Sequence, residues 1–376
     1  IRDAQESRGL GDVYKRQTFI CLKEKSFRLG FVTAGVIVLY AILCFAGVYY
    51  NLLILPLTAP LIYIAICSFG VMGYRFFTEE RAKRRIRSMF SSMVSDKVLT
   101  FLEETPDSFS LTGHNTEATV FFSDIQEFTR ISELLSPEQL TLFLNEYLTP
   151  VTNNILEMGG YLDKYIGDGI MAVWGAPYKD PEHAVKACLS ALEQQAIIEK
   201  LNNELHEKYG YKVHARMGIN SGVVTAGNMG SEKKFQYTVI GDVVNIAARL
   251  EPVNKDFGTK VIVGETTCKM VEHLFAMRPL IKILVKGKSI PIFIYELLCR
   301  KENLDELTRK VISKYSDALN FYCNRQWTES EKELQEILSL KPDDGPSIYL
   351  LRMIGQMKEM SLPASWQGEY IRITKD

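Results

Sequence analysis

Between residues 29 and 74 the chain carries no Asp, Glu, Lys, Arg or His. No other feature limits the fold so strongly, because a helix without a polar face has nothing to turn toward water. The hydrocarbon core of a bilayer takes roughly 20 apolar residues per helix. The tract therefore predicts two transmembrane spans, at 31–49 and 55–77, with Asn51 and the Pro56/Pro60 region at the turn. The alternative is a pair of buried core helices, but a soluble core needs no uncharged stretch of this length. Lys23, Lys25 and Arg28 precede the tract, and Arg75, Arg81, Lys83, Arg84, Arg85 and Arg87 follow it. Positive flanks on both sides predict that both ends face the cytoplasm, as a hairpin requires, in an inner or plasma membrane.

Elsewhere the charges balance, Lys+Arg 44 against Asp+Glu 45, which gives no global reason to expect nucleic acid as a partner. The seven cysteines are scattered and never form CxxC. That is the usage of reduced thiols and predicts a cytosolic folded part. Residues 1–17 fit nothing that follows and carry neither an initiator Met nor a signal-peptide pattern, so they read as a non-native leader. On that reading 18–28 is a cytoplasmic loop or the end of a truncated span, and the chain is a fragment.

After the spans, 78–110 predicts a basic, amphipathic helical connector able to contact anionic membrane lipid, with Ile86, Met89, Phe90, Met93 and Val94 on one face. Pro106 and Gly113 then break structure. Residues 111–300 predict one α+β domain. Residues 118–124 read as a buried strand, and 128–160 as helical with a second helix starting at Pro137. "YLDKYI" and "IMAVWG" are strands joined at Gly167-Asp168-Gly169. A long helix over 181–210 stops at Gly210, and 213–230 is again strand-like. The order β-α-β-β-α-β is a split βαβ, or ferredoxin-like, sheet. In such a sheet the third strand lies between the first two and runs antiparallel to both. Asp124, ending the first strand, and Asp168, in the turn, then meet at one edge. Two carboxylates there repel unless a cation joins them, and hard divalent ions suit oxygen donors.

These residues resemble the class III nucleotidyl cyclases over about 110–300, half the chain. "FFSDIQEFT" (121–129) is similar to that family's first metal motif and "DKYIGDGIMAVWGAP" (163–177) carries its second. "QYTVIGDVVNIAARLE" (236–251) resembles its catalytic helix, and "ILVKGKSIPIFIYEL" (283–297) its closing hairpin. Four motifs in order are far more specific than one. The resemblance implies conversion of ATP to 3′,5′-cyclic AMP and pyrophosphate. Asp124, Asp168 and the Ile125 carbonyl would bind two Mg²⁺ or Mn²⁺, one activating the ribose 3′-hydroxyl and one holding the triphosphate. Arg249 would neutralise the α-phosphate and Asn245 would orient the ribose. Their i, i+4 spacing independently puts both on one helix face. Lys286 and Arg216 match phosphate-holding positions, and the main chain at Phe128 and Thr129 would cradle the phosphates. Lys164 and Thr238 would choose the base. The resemblance also implies a homodimer with shared sites, Asp124 and Asp168 from one copy and Lys164, Thr238, Asn245 and Arg249 from the other.

Two residues depart from the family pattern. Thr238 stands where an aspartate is commonest, a variation similar to that of a subclass often responsive to bicarbonate, and a hydroxyl excludes guanine less firmly than a carboxylate. Glu127 stands where a glycine is usual. Lys164 can only donate, which suits adenine N1 and opposes guanine N1–H. Three functions are weighed: adenylate cyclase, guanylate cyclase, and a catalytically silent cyclase-like signalling module. The presence of Asp124, Asp168, Asn245 and Arg249 argues against the silent module. Upstream, the spans and connector look like those of cyclases that carry a CHASE2 sensor. Downstream, 301–376 predicts a helical tail, in which 312–354 resembles one degenerate tetratricopeptide hairpin. A lone repeat cannot bury its own face, so it is expected to pack on the catalytic domain.

Overall fold

The computed structural model describes residues 113–231, 234–283 and 291–360, with scattered positions between 35 and 99 and between 362 and 370. The chain divides into two units, Ile1–Ser88 and Met89–Asp376. In the first, the described positions from 35 to 77 are helical, and Phe45, Ile66 and Phe69 stand exposed. Much of the two expected spans lies outside the described residues. Among the described residues no helix is long and apolar enough to cross a membrane. The leader, the 18–28 segment and most of the connector also lie outside them.

The second unit is built on one sheet. Strand β1 (His114–Ile125) lies between β3 (Gly169–Trp174) and β4 (Ala215–Ser231), with β2 (Tyr161–Ile166) beyond β3. β3 runs antiparallel to both β1 and β2, as the βαββαβ order requires. β4 folds back into β5 (Lys234–Ile240) and pairs in parallel with β6 (Val261–Gly264). β7 (Phe275–Ile283) and β8 (Ile292–Arg300) form the expected closing hairpin beside β6, and the short β9 (Glu369–Tyr370) pairs with β7.

Helices cover both faces, which is why β3 and β6 read as continuous apolar runs. In β6, Val261 and Val263 join one core while Ile262, between them, joins the other. On the first face lie α1 (Phe128–Leu134), α2 (Pro137–Glu157) and α3 (His183–Tyr209). α2 starts where Ser136 and Gln139 form a reciprocal capping box ahead of Pro137. α3 ends at Gly210, whose N–H bonds the His206 carbonyl. The other face carries α4 (Asp242–Phe257), which buries Ile246, Leu250, Val253 and Phe257. α4 sits tight on β4 because Gly218 has no side chain; a Cβ there would lie 2.5 Å from the Ala247 carbonyl oxygen.

Among the described residues the tail holds three helices rather than one pair: α6 (Glu306–Cys323), α7 (Trp327–Leu340) and α8 (Gly345–Glu359), after the short α5 (Glu265–Val271). Asp305 caps α6 well before residue 312, and Asp344 followed by Pro346 starts the third helix. Tyr315, Leu319, Ile337 and Leu350 pack into one core with α4, so the tail closes the second face of the sheet.

Candidate active site

The register of β1 against β3 pairs Ser123 with Ile170, which brings the 167–169 turn to the end of β1. Gly169 permits that approach, since a Cβ would come within 2.8 Å of the Ser123 carbonyl oxygen. Asp124 and Asp168 therefore share one edge. The Ile125 N–H donates to Asp168 Oδ2 at 3.2 Å and fixes the side chain. Burial, and then the neighbouring Asp124 charge, push the Asp168 carboxyl up to about 6. A group raised in this way favours a cation at its side. Two carboxylates and a backbone carbonyl are the all-oxygen donor set that Mg²⁺ and Mn²⁺ prefer, so the residues fit such ions.

Arg216 stands opposite Asp124 on β4. Its Nη2 donates to Asp124 Oδ2 at 3.2 Å, and its Nε lies 3.0 Å from Glu251 Oε1 on α4. The guanidinium thus bridges two carboxylates, and the sequence held no signal for Glu251 as its partner. Glu127 has φ 58 and ψ 28, a left-handed conformation that explains why glycine suits this position. Its side chain is exposed, 4.0 Å from Arg130. Phe128 and Thr129 open α1 directly after it.

Asn245 and Arg249 both lie on the exposed side of α4, opposite its buried Ile246 and Leu250. Lys286 lies outside the described residues. Lys164 and Thr238, 74 positions apart in the chain (238 − 164), are brought together by a residue that no motif singled out. That residue is Asp163, 1% exposed. Its Oδ2 accepts from Thr238 Oγ1 at 2.8 Å and lies 3.2 Å from Lys164 Nζ. Gln236 Nε2 donates to the Asp163 carbonyl, and the Tyr161 hydroxyl to the Tyr237 carbonyl, both at 2.6 Å. Burial raises the Asp163 carboxyl, against the lowering pull of Thr238 and Lys164. The available signal was an Asp inside an apolar strand, where an unpaired carboxylate is costly.

Residues 112–298 match the adenylate and guanylate cyclase catalytic domain. The chain is 35% identical over 182 residues to adenylate cyclase 1 of Rhizobium meliloti (strain 1021), covering 48% of this chain and 27% of that protein. It is 34% identical over 186 residues to an adenylate cyclase of Anabaena cylindrica, covering 48% of this chain and 36% of the relative. The chain therefore spans about a third or less of these curated relatives. Among solved structures, the adenylyl cyclase CyaB from P. aeruginosa is 33% identical, covering 52% of this chain and 100% of that one with a TM-score of 0.48. The domain at 112–298, with its paired aspartates at the end of β1 and in the β2–β3 turn, is an adenylate and guanylate cyclase catalytic domain.

Proposed function

We propose that the chain is an adenylate cyclase, forming 3′,5′-cyclic AMP and pyrophosphate from ATP. The observation that carries this reading is Lys164 beside Thr238, both held on one oxygen of Asp163. A lysine donor suits adenine N1 and opposes the guanine N1–H. The adenylate cyclases among its relatives support the same choice.

Asp124, Asp168 and the Ile125 carbonyl would hold two Mg²⁺ or Mn²⁺. When bound, these ions supply Lewis-acid activation of the 3′-hydroxyl and neutralise charge on the triphosphate. The chain's own residues do the rest. Lys164 and Thr238 orient the base. Asn245 orients the ribose, and Arg249 stabilises charge that develops on the α-phosphate during in-line attack. Arg216, Lys286 and the main chain at Phe128 and Thr129 hold the phosphates. Each site takes Asp124 and Asp168 from one copy and Lys164, Thr238, Asn245 and Arg249 from a second, and a two-fold pair gives two equivalent sites. The exposed placement of Asn245 and Arg249 on α4 supports this division.

The uncharged tract would anchor the chain as a helical hairpin with the catalytic domain in the cytoplasm, and its exposed helical Phe45, Ile66 and Phe69 support that placement. A CHASE2 sensor upstream fits the same arrangement. The experiment is turnover by the purified chain with Mn²⁺ and ATP, then GTP. Cyclic AMP and pyrophosphate in equal amounts are expected, with ATP favoured; GTP preferred over ATP would make the protein a guanylate cyclase.

A further inference from the structure

We propose that Asp163 sets the hydrogen-bond polarity of the base pocket, so that Thr238 reads the 6-amino group of adenine and rejects the 6-oxo group of guanine. A threonine hydroxyl carries one donor hydrogen and two acceptor lone pairs, so alone it would serve either base. An ionised carboxylate only accepts. Thr238 Oγ1 lies 2.8 Å from Asp163 Oδ2 and donates to it. The Lys164 ammonium, 3.2 Å from the same oxygen, favours the ionised form there. With its hydrogen committed, Thr238 offers the pocket lone pairs alone. Those accept from the adenine amino group and repel the guanine carbonyl oxygen. Lys164 has three donors, and one spent on Asp163 leaves two for adenine N1.

The arrangement is held from several sides. Asp163 is 1% exposed, and among the described residues its Oδ1 has no hydrogen-bond partner. Gln236 and Tyr161 also tie β5 to β2, next to the Asp163–Thr238 bond. These strands are not neighbours in the sheet, since β5 pairs with β4. The contact between them is therefore made by side chains, and Asp163 is its charged centre. Asp163 touches no substrate atom; it is a positioning residue that acts through Thr238.

This inference rests on the cyclase reading, and the test separates the two. The ratio of kcat/KM for ATP to that for GTP is measured on the full chain with Mn²⁺. Asp163→Leu removes the acceptor and frees the Thr238 hydroxyl to turn its hydrogen into the pocket, so the ratio is expected to fall about tenfold. Asp163→Asn keeps an amide oxygen for both donors and is expected to restore most of the ratio. In a Thr238→Val background, Asp163→Leu is expected to change the ratio no further. An unchanged ratio in Asp163→Leu, or an equal fall in the Thr238→Val background, overturns the proposal. Where a variant turns over neither nucleotide, equilibrium binding of 3′-deoxy-ATP and 3′-deoxy-GTP, which lack the nucleophile, reads the same ratio, and a fall or its absence counts in the same way. A wild-type chain that binds both analogues but makes no cyclic product overturns the cyclase reading, while the binding ratio still decides the role of Asp163. A wild-type chain that binds neither overturns both.

Discussion

Replacing Arg278 with methionine removes the charge that joins the tail to the sheet. Arg278 is 2% exposed on β7. Its Nε donates to Glu296 Oε2 at 2.8 Å, its Nη1 to both Asp344 oxygens at 2.8 Å, and its guanidinium lies 5.2 Å from the Tyr315 ring centroid. Asp344 also caps α8 through Ser347. Methionine retains much of the aliphatic stem but leaves Glu296 without its cation and Asp344 with only Ser347 and Lys341, and breaking a buried pair from one side costs about 3–5 kcal/mol. That is a large part of the roughly 5–15 kcal/mol typical of a folded protein.

The sign with pH follows from the two acids. Burial would raise Asp344, but Arg278 and Ser347 outweigh it and hold the carboxyl below its ordinary value. Its contribution to stability is therefore present above the unfolded value and lost as pH falls through the folded one. Burial already holds Glu296 above its ordinary value despite Arg278. Without Arg278 burial raises Glu296 further and Asp344 loses its strongest lowering partner, so stability is lost as pH climbs above the unfolded values. The gap between wild type and Arg278→Met should thus be wider at about pH 7.5 than at about pH 5. Urea unfolding followed by tryptophan fluorescence measures it, with Trp174 in the sheet core and Trp327 and Trp366 packed at Tyr322 in the tail. Turnover should fall as well, because Tyr349 of α8 packs 4.4 Å, centroid to centroid, from Phe257 of α4, the helix of Asn245 and Arg249. A loss under about 1 kcal/mol at neutral pH, or an equal loss at both pH values, would refute the reasoning.

Glu127→Gly should raise stability by about 0.5–1 kcal/mol, since relief of the left-handed strain exceeds the entropy of the added glycine; a lower Tm would remove strain as the reason glycine suits this position. Phe90 is buried between Tyr161 and Tyr237, with ring centroids 6.0 and 5.3 Å away. Phe90→Ala should cost about 3–5 kcal/mol and raise KM for ATP, because those tyrosines flank the base pocket; an unchanged KM would disconnect the connector from it. Asp124→Ala and Arg249→Ala should each be nearly inactive alone, yet regain activity when mixed, as one site of the heterodimer escapes both defects. Mixed dimers that stay dead would place the whole site within one chain.

Much of the sheet could be read before any coordinates, because its signals are local. The apolar run "IMAVWG", the Gly167-Asp168-Gly169 turn, Ser136 ahead of Pro137 and Gly210 after a long helix each act within a few residues. The βαββαβ order then brought Asp124 to Asp168 without a distance in hand, since strand order dictates which ends share an edge. The tail was only partly legible: its helices were expected, but their number and their seat on α4 depend on an apolar face that another element supplies. For Asp163 the sequence carried only the oddity of a carboxylate in a strand, and its partner was not legible. A carboxylate in an edge strand looks the same in sequence whether it ends in water or beneath Thr238, 75 positions away. The same holds for Arg278 and Asp344, 66 positions apart. Periodicity reports which way a side chain points relative to its neighbours in the chain. Which charges meet once the faces close, and so which hydroxyl must donate and which may only accept, is decided by tertiary packing, because a buried charge is tolerated only where the fold delivers its partner.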